Sequence, residues 1–391
     1  MRPGLNLCVM SGCTVLLGML AVGVWIQPQG QWRLTLLVLV GACIGAVLLL
    51  TSFGFAGAFR ALVTRRDASG FQAHALMLAL ASSLMLPILA QGSVLGQRMH
   101  GEATPVGVGF LVGALLFGVG MQIGGGCASG TLYALGSGNG KLLGTVIGFI
   151  SGSALGAWSM EFWWSLPALP AATLQGLIGY GPALFVQLAV LGSVWFIAGR
   201  GAKAAPPRLL LAGGLALAAL NAATLLLAGK PWGETSAFAL WGSKIGVETG
   251  FDVHQWAYWT RPGFSTQLDR AVSLDATSIM DAAIVLGAAL AAASTGAFRL
   301  RSGGGSRAWA AALLGGVAMG FGARLANGCN IGAYFSAIAV GNLSGWVWVV
   351  SALLGSWAGV RLRPLFGLDG HVVMQASTAC CGIVPPDAST C

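Results

Sequence analysis

The chain has 391 residues, 56% of them apolar and only 8% charged, with a formal net charge of +9. A soluble globular domain carries about 25% charged residues, so this chain has too few to cover a water-facing surface. A soluble enzyme, a nucleic-acid-binding protein and a disordered chain are excluded as main readings, and the expected fold class is an all-α polytopic membrane protein.

Taken in chain order, apolar runs bounded by charges, Gly and Pro predict ten transmembrane helices. They lie at about 5–26, 34–50, 71–92, 105–123, 142–165, 181–199, 207–229, 276–298, 308–326 and 343–361. The first run has one basic residue before it, a long apolar stretch and no A-x-A site, so it reads as a retained helix rather than a signal peptide. The segment 230–275 reads as a long outer loop holding Trp241 and Lys244, an entrance funnel or an interfacial Trp belt. The four histidines lie near span ends or in loops and read as solvated. They are scattered among cysteines that lack metal-ligand spacing, so no metal is expected.

Placing the charges orients the chain. With the N-terminus inside and strict alternation, thirteen Lys and Arg residues fall inside and six outside. Four of those six, Lys230, Lys244, Arg261 and Arg270, share the 230–275 loop, where the positive-inside rule is weak. Both termini are therefore expected in the cytoplasm. Arg324 is the one basic residue well inside a predicted span, where a charge is costly and usually lines a pathway.

The most informative feature is an internal repeat. The stretch 118–131, containing Gly124-Gly125-Gly126-Cys127-Ala128-Ser129-Gly130, aligns without gaps with 320–333, containing Ala326-Asn327-Gly328-Cys329-Asn330-Ile331-Gly332. A weaker match joins 51–60 to the segment beginning Pro231-Trp232-Gly233. Four spans form a first unit (34–165), one helix links (166–206), and four spans form a second unit (207–363). Residues 1–33 precede them and a Cys-containing cytoplasmic tail, 364–391, follows. The odd linker helix inverts the second unit, so the two broken Gly-Cys loops would meet near the midplane from opposite faces, a transporter architecture.

Glycine runs free backbone N–H groups, and helix N-termini favour anions. Each loop read alone is tight Gly packing around a small buried Cys. Two in matching positions point instead to a polar constriction for a small anion. Its lining would be Cys127, Cys329, Gly124, Gly125, Gly126, Ser129, Gly130, Asn327, Gly328 and Asn330, with Arg324, its repeat counterpart Gln122, and Lys244 assisting. No G-x-x-x-x-G-K-[ST] motif is present, so no nucleotide cofactor is expected.

The segments at 124–130 and 326–332, with Pro231-Trp232-Gly233 and Phe238 to Lys244, resemble the YeeE/YedE (TsuA-like) sulfur-transport family over roughly 34–363. The resemblance implies a bacterial inner-membrane permease for thiosulfate, with Cys127 and Cys329 passing the anion along by S–H···S contacts. It also implies a separate cytoplasmic TusA-like sulfur carrier as partner, because roughly 28 residues after Arg363 cannot fold as a fused carrier domain. Relatives associated with selenium leave the substrate open. Family members can carry a further functional cysteine nearer the N-terminus; the 51–60 motif here has none, and Cys43 does not inherit the role. Two other readings remain: a membrane thiol oxidoreductase, which needs two cysteines within bridging distance, and a passive channel. The roles of Cys380, Cys381 and Cys391 stay open.

Overall fold

The computed structural model describes residues 3–26, 31–101, 103–261, 264–301 and 305–368. Cys380, Cys381 and Cys391 lie outside the described residues. Helices are Pro3–Trp25 (α1), Trp32–Thr51 (α2), Phe55–Arg65 (α3), Ser69–Ala90 (α4), Val108–Ile123 (α5), Ala128–Gly136 (α6) and Leu142–Trp158 (α7). Two short ones, Met160–Ser165 (α8) and Leu174–Ile178 (α9), lead to Tyr180–Arg200 (α10), Arg208–Ala228 (α11) and Thr235–Glu248 (α12). Then come Ser265–Asp269 (α13), Ala276–Ser294 (α14), Ser306–Leu325 (α15), a π-helical segment Asn330–Ser336 running into Ala337–Ala339 (α16), and Ser344–Leu362 (α17). Two pairs of two-residue strands complete it, 93–94 with 97–98 and 106–107 with 168–169.

Nine helical stretches among the described residues are long and apolar enough to cross a membrane, and α7, another apolar helix, has 17 residues. The ten predicted spans thus each contain one long helix, and the molecule is an all-α, multi-pass membrane protein. Such helices form because hydrocarbon leaves no water to satisfy backbone N–H and C=O groups. Two predictions need correction. The span 142–165 is two helices, broken after Trp158. The segment 230–275 is not merely a loop: it holds α12, whose Thr235, Ala237–Leu240 and Ser243 are buried.

Glycines set the closest helix contacts. A Cβ on Gly148 would fall 2.2 Å from the Leu313 carbonyl oxygen, and one on Gly320 2.1 Å from that of Phe149, so α7 and α15 touch backbone to backbone. The same holds for α2 on α14 through Gly45 and Gly287, and for α5 on α17 through Gly118 and Gly355.

The packing has an exchange relation. Replacing α2 to α7 by α11, α12, α14, α15, α16 and α17 in that order turns observed neighbours into observed neighbours. Contact α7–α15 becomes α17–α5, α2–α14 becomes α11–α4, α6–α14 becomes α16–α4, and α7–α12 becomes α17–α3. The relation extends one helix further: α1 packs on α14 as α10 packs on α4.

Candidate functional site

Both Gly-Cys segments break a helix and start another. After α5 the chain passes Gly124, Gly125 (φ +93°) and Gly126, and Cys127 stands as the extended residue before α6. After α15 it passes Asn327 (φ +53°) and Gly328 (φ +149°), and Cys329 stands extended before the π-helical segment. The positive φ values are why glycine occupies two of these places, 125 and 328. π-Helical turns are rare and concentrate at functional sites.

Each cysteine is buried, 2% exposed for Cys127 and 1% for Cys329, and both belong to one cluster with Phe55, Phe335 and Trp232. Each sulfur faces backbone N–H groups of a helix start. The N–H groups of Ala56, at the beginning of α3, and of Gly130 lie against Cys127 Sγ, and Ser129 Oγ is 3.4 Å away. Ile331 N–H donates to Cys329 Sγ at 3.4 Å, with Gly332 N–H beside it. A Cβ on Gly130 would lie 3.4 Å from Cys127 Sγ, so this glycine keeps the sulfur's surroundings open. The result is two buried thiols, each standing where a helix starts again after a break and facing the positive end of that segment.

On the Cys329 side a cavity of about 640 Å³ reaches the loop, with Lys230, Glu234, Arg324, Asn327, Gly328 and Gly332 on its wall. Arg324 is buried, donates to Tyr258 Oη at 2.6 Å and lies 4.6 Å over the Tyr258 ring, while its Nε has no partner. Asn327 Nδ2 donates to Thr104 Oγ1 at 3.0 Å. Asn330 is fully buried with neither amide atom partnered.

On the Cys127 side Gln122 is fully buried and gathers two guanidinium groups. Arg60 Nε donates to Gln122 Oε1 at 2.9 Å, and Arg363 Nη1 donates to the Gln122 carbonyl oxygen at 2.6 Å. Gly124 is tied to α7 by Thr145 Oγ1, which donates to its carbonyl oxygen at 2.8 Å. Lys244, by contrast, is not on the cavity wall: its Nζ donates to the Leu268 carbonyl oxygen, and Trp241 Nε1 donates to Ser278 Oγ.

Several residues of this region went unnoticed in the sequence. Glu234 immediately precedes α12, is fully buried, and stands with Oε2 3.9 Å from Cys329 Sγ. A closed ring of hydrogen bonds holds its loop against the π-helical segment. Trp232 N–H donates to Asn221 Oδ1, Asn221 Nδ2 to Ser336 Oγ, and Ser336 Oγ to the Trp232 carbonyl oxygen. His74 corrects the expectation of solvated histidines: it is 2% exposed in α4, between Phe55, Phe71 and Tyr334. The signal was present in the long apolar run around it, which made a solvated ring improbable at that depth.

The chain is 26% identical over 345 residues to the thiosulfate transporter TsuA of Spirochaeta thermophila, covering 82% of this chain and 96% of that protein. It is 31% identical over 161 residues to the probable transporter YedE of Salmonella typhimurium and 29% over 161 residues to that of Escherichia coli. Each YedE match covers 39% of this chain and 37% of the relative, so the chain spans little more than a third of those two proteins. Residues 50–358, which include both Gly-Cys loops, match the model of a family described as sulphur transport. The chain belongs to the sulphur transport family and is a multi-pass membrane transporter, not an enzyme.

Proposed function

We propose that the protein imports thiosulfate, or a close sulfur anion, across the bacterial inner membrane through the Cys329 and Cys127 loops in succession. The observation that carries this reading is the pair of buried cysteines, each held at a helix start with backbone N–H groups on its sulfur. A thiol is a weak donor that suits the soft terminal sulfur of thiosulfate, and N–H groups suit its hard oxygens. Glycines at the loops let the backbone approach the anion closely. The cavity with Lys230 and Arg324 collects the anion on the outer side, and Arg60 and Arg363 receive it on the cytoplasmic side. Asn327, Asn330, Ser129 and Gln122 supply neutral hydrogen-bonding groups along the path. Beyond the membrane a TusA-like carrier would take up the sulfur.

The exchange relation supports two inverted units. Because α1 and α10 enter it, each unit comprises five spans rather than four, and an odd count inverts the second. With both termini in the cytoplasm the Cys329 cavity faces outward. Growth of a sulfur-auxotrophic bacterium on thiosulfate as sole sulfur source tests the function. The intact chain is expected to support growth, and Cys127→Ala or Cys329→Ala to abolish it; no growth with well-expressed intact chain overturns the thiosulfate reading.

A further inference from the structure

Two buried carboxyl groups, one of them beside Cys329, have almost nothing to hold them. Glu234 and Asp281 are both fully buried. Oε1 of Glu234 and both carboxyl oxygens of Asp281 have no hydrogen-bond partner. Among the described residues, the Cys329 thiol is the one hydrogen-bond partner found for either carboxyl. Glu234 lies on the cavity wall, as does Met280, next to Asp281.

The two are neighbours. They interact electrostatically, and α12 packs on α14. The exchange relation gives an independent view of the pair. Phe53-Gly54-Phe55 corresponds to Trp232-Gly233-Glu234, and the sixth residue of α4, His74, corresponds to the sixth of α14, Asp281. Phe55 and His74 are in ring contact, with centroids 4.8 Å apart. Where the first half places an aromatic pair, the second half places two acids.

Other titratable groups are spent elsewhere or lie across the cavity. Asp275, at the start of α14, accepts from Ser278 N–H and Oγ. Lys244 of α12 is bound to Leu268, and Lys230 and Arg324 face the cavity. Glu248 ends α12, α6 brings Tyr133, α2 brings Arg33 and Cys43, and α1 brings Cys8 and Cys13. None of these is hydrogen-bonded to either carboxyl.

A partnerless carboxylate at membrane depth is costly, and two adjacent ones compound the cost. An incoming dianion at the Cys329 thiol would meet Glu234 a few ångströms away and be repelled unless that carboxyl carried a proton. Anion binding and proton binding at this place therefore favour one another, which is reciprocal coupling. We propose that Glu234 and Asp281 are the coupling site of a proton–anion symporter, in which two protons accompany each dianionic substrate and make the cycle electroneutral. Two carboxyls match two negative charges, and neutrality removes the opposition that an inside-negative membrane potential sets against anion import. The carboxyls load from the outer cavity and discharge once the anion has moved on to Cys127. This rests on the transport reading above.

The test uses the full chain purified into liposomes, with radiolabelled thiosulfate uptake, a trapped pH dye and potassium diffusion potentials. An inward proton gradient is expected to accelerate wild-type uptake at least tenfold, with thiosulfate-dependent acidification inside and no response to potential. Asp281→Asn, which leaves one carboxyl, is expected to carry fewer protons per anion and to be slowed by an inside-negative potential. A purely structural role of Asp281 would not create that voltage response. Glu234→Gln, which leaves Asp281, is likewise expected to carry fewer protons per anion and to be slowed by an inside-negative potential. Thiosulfate uptake without acidification, or an Asp281→Asn chain still indifferent to potential, overturns the coupling. A wild-type chain showing neither uptake nor thiosulfate counterflow overturns the transport reading on which it stands.

Discussion

Gln122 holds Arg60 by a 2.9 Å hydrogen bond to Nε, at the place in the first Gly-Cys repeat that Arg324 fills directly in the second. Each half of the molecule thus has a guanidinium near the end of the helix that precedes its Gly-Cys loop. In one half it is carried by the helix itself. In the other it is reached from α3 and fixed through a neutral amide.

If both guanidinium groups serve the anion, their loss weakens binding without unfolding the chain. Arg324→Gln and Arg60→Gln are each expected to raise KM for thiosulfate about tenfold, since a hydrogen bond to a charged group contributes about 1.5–3 kcal/mol. Uptake at graded thiosulfate concentrations checks this. An unchanged KM in both variants would leave the arginines as structural groups.

The Asn221 ring predicts a stability effect. Asn221→Ala leaves the buried Trp232 N–H without its acceptor and Ser336 Oγ without its donor. The expected loss is about 1–3 kcal/mol, read as a lower melting temperature in detergent. Because the ring holds the Glu234 loop on the π-helical segment, uptake should fall with it.

Helix packing predicts a contrast between two glycines. Gly152→Leu would drive a side chain into the Val317 carbonyl, where even a Cβ would come within 2.2 Å. This substitution is expected to prevent folding, seen as lost expression or aggregation on gel filtration. Gly12→Leu, with nothing within 4 Å of an added Cβ, should behave as the wild type.

The ten long helices were legible because hydrocarbon demands an unbroken apolar run of sufficient length, and little else in a sequence looks like that. The two cysteines were legible because the same Gly-Cys-x-x-Gly pattern occurs twice, in matching positions of a repeat. The α12 segment was not. Its Glu, Thr, Ser and Lys residues dilute the apolar signal, and it is buried only because α7, α14 and α15 enclose it. Glu234, at its head, was missed for the same reason, and so were Arg60 and Asn221. Their importance comes from partners 62 and 115 positions away in the chain, a relation that periodicity cannot reveal. Lys244 was singled out by its motif, yet its ammonium is turned toward Leu268 rather than toward the cavity.

The measurement that bears most directly on the thiol pathway is radiolabelled thiosulfate uptake by the reconstituted chain, compared with Cys127→Ala, Cys329→Ala and the double variant. The account predicts that each single replacement lowers uptake at least a hundredfold while gel filtration and melting temperature stay within the range of the intact protein. Thiosulfate uptake that survives the double replacement would contradict it.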